Sequence, residues 1–288
     1  MPSLTYLDQN ALIALGRKAR HKGSRQKLDG ALESKLLSVV VSSWHLIETA
    51  RTTNVANATE LAEFIDSLNP GWLFERFNLQ RLDVLEDFYR YLKIEFTERP
   101  RVTTRSEVFA ELNHAKDSPR FEIASADFVT QWVKEPNQLA VLEETYKKNA
   151  ATLVGLRALK KAGKITEDVR NRVNEILLRV SLPKTTPAGL HMGHDVKIDY
   201  VYVQQVKAEN ISSIAIETAI SEHEWDSQGG LDGNTLIDKM HLISALPHVD
   251  EIVSDDNFFH DVYPAAAASG HVRAALIHNA EFLQRLGL

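Results

Sequence analysis

The stretch SLTYLDQNALIALGRKARHK, residues 3–22, decides the reading of the fold. Its opening is short, apolar and β-prone. From Ala11 the apolar residues take helical spacing with a basic trailing face, which predicts a strand over 3–8 running directly into a helix. Asp8 then stands at the carboxyl end of the first strand, where open α/β sheets place reactive groups.

The strand-to-helix pattern recurs downstream. A helix is expected near 25–36, a strand at LSVVV (37–41), and a second helix capped by Ser42 or Ser43 that carries Glu48 about one turn in. A further helix over 56–68 stops at Asn69-Pro70-Gly71, and 80–96 reads as helix throughout. From about 100 to 190 the chain is mostly helical, with the strongest periodicity in 138–162 and 166–180. The loop LPKTTPAGLHMGHD (182–195) is the best internal boundary, and 196–224 suggests no definite element. Beyond it lie a helix over 235–246, with Leu236, Ile237, Met240 and Ile243 on one side, a short buried strand EIVS (251–254) and a closing helix over 271–286. The strand at 251–254 delivers Asp255 and Asp256 at its carboxyl end.

Composition narrows the chemistry. The 288 residues are 44% hydrophobic and 25% charged, the profile of a folded globular protein with room for a large core. The absence of cysteine removes disulfides, thiol catalysis, iron–sulfur clusters and cysteine-bound zinc, and fits a reducing cytoplasm. No apolar run approaches a membrane span and the N-terminus lacks the pattern of a signal peptide, so the expectation is a cytoplasmic protein with no membrane partner. The net charge of −6 hides segregation. Residues 1–30 carry six Lys/Arg against Asp8 and Asp29, whereas residues 195–261 carry fourteen Asp/Glu against three Lys. Carboxylates that dense repel one another unless solvent or a bound cation intervenes.

If the strands at 3–8, 37–41 and 251–254 are parallel neighbours, Asp8, Glu48, Asp238 and Asp255 or Asp256 can converge on one edge of the sheet. Magnesium and manganese take hard oxygen ligands, often one or two carboxylates completed by water and substrate phosphate.

These segments resemble those of the PIN-domain nucleases. YLDQNALIAL is similar to that family's opening strand, with its aspartate and following Asn. SSWHLIETAR resembles its Ser-initiated helix with a single glutamate, LIDKMHLISAL its Asp-x-x-His-Leu-x-x-Ala helix, and EIVSDDNFF its strand ending in Thr/Ser-x-Asp with an aromatic soon after. The resemblance covers about 1–55 and 230–262. It implies a three-layer α/β/α sandwich with a mostly parallel sheet, formed here by 1–98 and 191–288, with 99–190 as a helical insertion beyond the length of typical members. It further implies Mg2+- or Mn2+-dependent hydrolysis of RNA phosphodiesters. Asp8, Glu48, Asp238 and Asp256 would hold the metal, Asp255 competing with Asp256 for that role. Asn10, Ser254 and His241 would support them, and Arg17, Lys18 and Arg51 would contact RNA. A toxin or defence effector is one such role, which brings an inhibitory protein partner and a homo-oligomer into view.

Plainer roles exist for the same residues. Asp8 can cap the helix it precedes, Glu48 can pair with Arg51, Asp238 can favour its helix dipole, and Asp255–Asp256 can form an Asx turn. His241 can be a satisfied structural histidine, His45 can pack near Glu48, and His191 and His194 belong to no recognisable ligand set. The basic cluster from Arg17 to Lys27 can be a solvated helix face or a grip on phosphates. The rival functions are a PIN-like scaffold that binds RNA or protein without cutting, and a nuclease directed at DNA. No nucleophile elbow, P-loop, dinucleotide fingerprint or H-E-x-x-H helix is present.

Overall fold

Strand β1 (Ser3–Leu7) sits in the middle of the sheet, with Thr5, Tyr6 and Leu7 essentially excluded from solvent. The computed structural model describes residues 3–51, 54–95, 100–112, 124–134, 154–168, 205–226 and 233–288, with isolated positions between 144 and 202. After β1 come α1 (Gln9–Ala19), α2 (Lys22–Glu33), β2 (Leu37–Val41), α3 (Ser43–Ala50), α4 (Val55–Ser67), β3 (Gly71–Leu73) and α5 (Arg76–Leu92). The chain continues through β4 (Val102–Thr103), α6 (Arg105–Leu112), α7 (Ser125–Lys134), α8 (Ser212–Asp226) and α9 (Gly233–Ala245). It ends with β5 (Glu251–Val253), α10 (Asn257–Ala268), β6 (Ala275–Ile277) and α11 (Asn279–Arg285).

The six strands form a mixed sheet in the order β4-β3-β2-β1-β5-β6, parallel throughout except for the β3–β4 pair. From β1 the chain walks outward through β2 and β3, then returns to the other side of β1 for β5 and β6. The order therefore reverses between β1 and β5, and the carboxyl end of that crevice is where open α/β sheets bind ligands.

Side chains alternate across the sheet, as strand geometry requires. Leu7, Val39, Val41, Trp72 and Val253 join one buried cluster with residues of α1, α3 and α4, while Tyr6, Val40, Leu73 and Ile252 join another with residues of α8, α9 and α10. Strands buried on both faces read as continuous apolar runs, which is why LSVVV shows no polar alternation. None of the described helices is long and apolar enough to cross a membrane.

The structure differs from the sequence reading in several places. Residues 275–277 form edge strand β6, paired in parallel with β5, so only Asn279–Arg285 of the expected closing helix is helical. Within 196–224, where the sequence suggests no definite element, a fifteen-residue helix begins at Ser212 and runs on to Asp226. The stretch after Asn69 and Pro70 enters β3 at once, Asn69 taking a left-handed φ of 45° to turn the chain. Residues 102–112 and 125–134, read as part of the insertion, supply β4, α6 and α7, and Val108 and Val129 sit in the core shared with α1 and α4. Asp66 ties this region down: it meets the Arg105 guanidinium at 2.6 Å and accepts from the Ser125 amide at 2.9 Å. The expected loop at 182–195, with His191 and His194, lies outside the described residues.

Candidate active site

Asp8 is the first residue past β1, and its amide donates to the Val253 carbonyl of β5 at 3.1 Å, extending the β1–β5 ladder by one bond. Its side chain is 4% exposed. Oδ1 accepts from the Ala11 amide at 2.6 Å, capping α1, and Oδ2 accepts from the Ser254 hydroxyl. Burial pushes the Asp8 carboxyl up to about 6; the two hydrogen bonds and nearby His241 act the other way, and the charge of Glu48 adds to the rise. The capping role and a place at the crevice are thus held by one side chain.

Ser254 follows β5 and is fully buried. Its oxygen also accepts from the Asp256 amide at 3.0 Å, so a single hydroxyl joins the strand ends carrying Asp8 and Asp256. Asp256 is half-buried and caps α10 through the Phe258 amide at 2.7 Å. Asp255 turns away: it is exposed, and Oδ1 accepts from the Asn279 amide at 3.0 Å and lies 3.1 Å from Nδ1 of His278, at the start of α11. Of the adjacent pair, Asp256 belongs to the crevice and Asp255 to the neighbouring helix end.

Glu48 enters from α3, opposite His241 of α9. His241 is buried, its Nδ1 2.5 Å from the Tyr6 hydroxyl, which also lies 2.9 Å from Ser42 Oγ. The other ring nitrogen, Nε2, stands 3.4 Å from Glu48 Oε2 without an aligned hydrogen bond. At that separation the contact is electrostatic rather than a formed bond. Asp238 is half-buried one turn before His241 on α9. Asn10 is exposed beside Asp8 and shares with Glu48 the wall of a groove that Arg17 and Arg51 also line. Lys18 is exposed on α1 and does not line it.

The sequence reading named His241 as support and placed His45 near Glu48, but it missed Tyr6 and the packing of the three rings behind this pocket. His45 is wholly buried, its ring 4.6 Å from that of His241 and 4.9 Å from that of Tyr6. Nε2 donates to the Leu7 carbonyl at 2.7 Å and Nδ1 accepts from the Ser42 amide at 2.9 Å. A carbonyl can only accept and an amide can only donate, so this pair of bonds requires the neutral Nε2-H imidazole. Burial, with repulsion from His241, pushes the His45 pKa down to about 3. Burial also raises the Tyr6 phenol well above its usual range, so it donates as a neutral hydroxyl. The signal was available in Ser42-Ser-Trp-His45, a helix start whose third helical residue can reach back to the cap.

Among the described residues no three imidazole or carboxylate side chains stand ready as a cation cage. The donors nonetheless suit one hard ion. Asp8 and Glu48 are mutually repelling carboxylates, one of them buried, and Mg2+ needs only one or two carboxylates when water and phosphate fill its octahedron. No family model, curated protein or solved structure significantly matches the chain.

Proposed function

We propose that the protein is a divalent-metal-dependent endoribonuclease on a PIN-like three-layer α/β/α domain, acting in the cytoplasm as a toxin or defence effector. The observation that carries this reading is the position of Asp8: a buried carboxylate with a raised pKa, at the carboxyl end of the crevice where strand order reverses, facing Glu48 and bonded to Ser254 beside Asp256. Resemblance of four segments to the PIN nucleases supplies the reaction class.

Asp8, Glu48, Asp238 and Asp256 are the residues that would hold Mg2+ or Mn2+. A cation held by these residues would lower the pKa of the attacking water and offset charge on the leaving oxygen. The chain's own residues do the rest. Ser254 fixes the Asp8 carboxylate, Tyr6 fixes the ring of His241, and His241 faces Glu48. Asn10 borders the crevice, and Arg17, Lys18 and Arg51 meet substrate phosphates. The domain draws on 1–98 and 191–288 and also takes β4, α6 and α7 from the segment 99–190.

One observation favours a second reading, a catalytically inactive PIN-like scaffold for RNA or protein: the described carboxylates do not form a ready-made cage. The deciding experiment incubates purified protein with labelled single-stranded RNA and matched DNA, with Mn2+, Mg2+ or chelator, alongside Asp8→Asn. Cation-dependent RNA cleavage that Asp8→Asn abolishes while retaining the fold supports the enzyme. No cleavage with either cation, in a protein that still binds RNA, supports the scaffold; preference for the DNA strand redirects the activity.

A further inference from the structure

We propose that Glu75 is the proton donor to the leaving oxygen, a carboxyl that reaches the cleaved bond from the β3 side of the crevice. This rests on reading the Asp8 crevice as a phosphodiester-cleaving centre, and it adds a residue of α5 to which that reading gives no part.

Topology brings Glu75 to the right edge of the sheet. It stands two residues past Leu73, the last residue of β3, and opens α5. β3 lies beside β2 and β2 beside β1, all parallel, so the strand ends followed by Asp8, Ser42 and Glu75 share one edge. Adjacent strands are about 4.8 Å apart, which puts the ends of β1 and β3 roughly 10 Å from each other, a gap that a phosphodiester and a glutamate side chain together can span. Tyr6 reports on both sides of that gap: the charges of Glu48, Asp8 and Glu75 all act to raise its phenol.

The plainer uses of a carboxylate at this position are not taken up. A polar side chain at a helix start commonly caps it, yet Glu75 makes no side-chain bond to the first amides of α5. Oε1 accepts instead from the Ser43 hydroxyl of α3. The guanidinium next door is engaged elsewhere, since Arg76 Nε and Nη2 both bond Glu217 of α8. Among the described residues Oε2 has no hydrogen-bond partner, and Glu75 is only half-buried, which leaves that oxygen for a substrate.

A proton donor must hold its proton near the working pH. Burial raises the Glu75 carboxyl above its ordinary value; the Ser43 hydrogen bond and the Arg76 charge act the other way, the latter answered by Glu217. With Oε1 accepting from Ser43, the proton sits on Oε2. In the step, the attacking water forms the new P–O bond and gives one proton to solvent. The P–O bond to the leaving oxygen breaks, its electron pair stays on that oxygen, and Glu75 Oε2–H supplies the proton that makes it a hydroxyl. The Glu75 carboxylate then regains a proton from solvent, so one water is consumed for each bond cut.

The test offers two substrates, with Mn2+, to the parent, Glu75→Gln and Ser43→Ala. One is labelled single-stranded RNA, whose leaving alkoxide needs a proton; the other is bis-p-nitrophenyl phosphate, whose phenolate leaves without one. Glu75→Gln should cut RNA about 100-fold or more slowly and lose the fall in rate at high pH, while losing at most about threefold on the nitrophenyl ester. Ser43→Ala removes a bond that favours the carboxylate, so its rate on RNA should fall off at a higher pH than the parent's. A purely structural role would slow both substrates alike. Circular dichroism checks each fold, and Ser43→Ala carries the test if Glu75→Gln unfolds. A carboxylic-acid infrared band at pH 7 that disappears in Glu75→Gln is expected without any turnover. Absence of that band, equal losses on the two substrates, or parent-like cleavage of RNA by Glu75→Gln overturns the proposal and leaves the nuclease reading standing. If the parent cuts neither substrate with Mn2+ or Mg2+, the nuclease reading itself falls and takes the proposal with it.

Discussion

The Ser254 hydroxyl donates to the Asp8 carboxylate across 246 residues of chain, joining the ends of the two parallel strands between which the strand order reverses. The bond settles which way Asp8 faces. It also gives a buried acceptor its partner, and with the Asp256 amide bonded to the same oxygen, the loop after β5 is tied to the loop after β1.

Removing that hydroxyl tests the tie. Ser254→Ala leaves Asp8 Oδ2 and the Asp256 amide short of a partner, and unpaired buried polar groups cost about 1–3 kcal/mol each. The expected result is a fall of roughly 2 kcal/mol in urea unfolding with unchanged m-value, together with loss of the proposed cleavage. A variant as stable as the parent would show that the loops are held by something else.

Asp8 makes stability depend on pH in an unusual direction. Its folded pKa of about 6 lies above the ordinary 3.8, so the native state holds the proton more tightly than the unfolded chain does. The stabilising contribution is complete below about pH 4 and is lost as pH rises through 6, on the order of 3 kcal/mol across that window. Asp8→Asn should therefore stabilise the chelator-treated protein at pH 7.5 and not at pH 4. Mn2+ should raise the unfolding midpoint of the parent at pH 7.5 and leave that of Asp8→Asn in place. Stabilisation of both proteins alike would remove Asp8 from the cation site.

His45 works in the opposite sense. Its folded pKa of about 3 is below the usual 6.5, so its contribution is complete above 6.5 and is lost as pH falls through that range toward 3. Over pH 4–6 the two groups oppose each other and the parent's stability changes little from their sum. In His45→Gln the histidine's share is gone, and denaturation midpoints should rise toward acid as Asp8 takes up its proton. A variant whose midpoints still fall with acid between pH 6 and 4 would show that another group governs that limb.

Sequence legibility followed element length and chemistry. β1, β2 and β5 are apolar runs that end at Asp8, Ser42 and Ser254, and that punctuation marked them. β3, β4 and β6 are three, two and three residues long and fall where a breaker, the insertion and the closing helix were expected, so their neighbours in the sheet specify them. The helix Ser212–Asp226 buries Glu217 and Glu224 among Ile214, Ile216 and Ile220, so hydropathy has no single apolar face to report. At the site, Asp8, Glu48, Ser254 and Asp256 were readable because each stands at an element end or on a marked helix. His241 and His45 were named singly, but their meeting with Tyr6 was not legible, because the three come from three elements and meet only when the sheet forms.

Gly71 opens β3 opposite the edge strand β4, and a Cβ there would collide with the Val102 side chain. Valine's branched, short side chain cannot swing aside as a longer one would. Gly71→Ala should cost about 1–3 kcal/mol, the usual range for overpacking, and Val102→Ala should restore most of it. Additive losses in the double variant would place the strain elsewhere.

The buried charges that hid α8 from the sequence reading also anchor it. Arg76 Nε of α5 donates to Glu217 Oε2 at 2.8 Å, its Nη2 bonds Oε1, and Gln80 Nε2 reaches Oε2 at 2.6 Å. Glu217 is 6% exposed, so both carboxylate oxygens are satisfied inside the protein. Glu217→Ala takes the carboxylate from a partly buried guanidinium and should destabilise by about 3–5 kcal/mol, whereas replacing Arg76 and Glu217 together by Met and Leu should cost far less or nothing. The two unfolding midpoints decide between them: if the apolar pair is as damaging as the single loss, Arg76 and Glu217 contribute net stability rather than the orientation of α8 against α5.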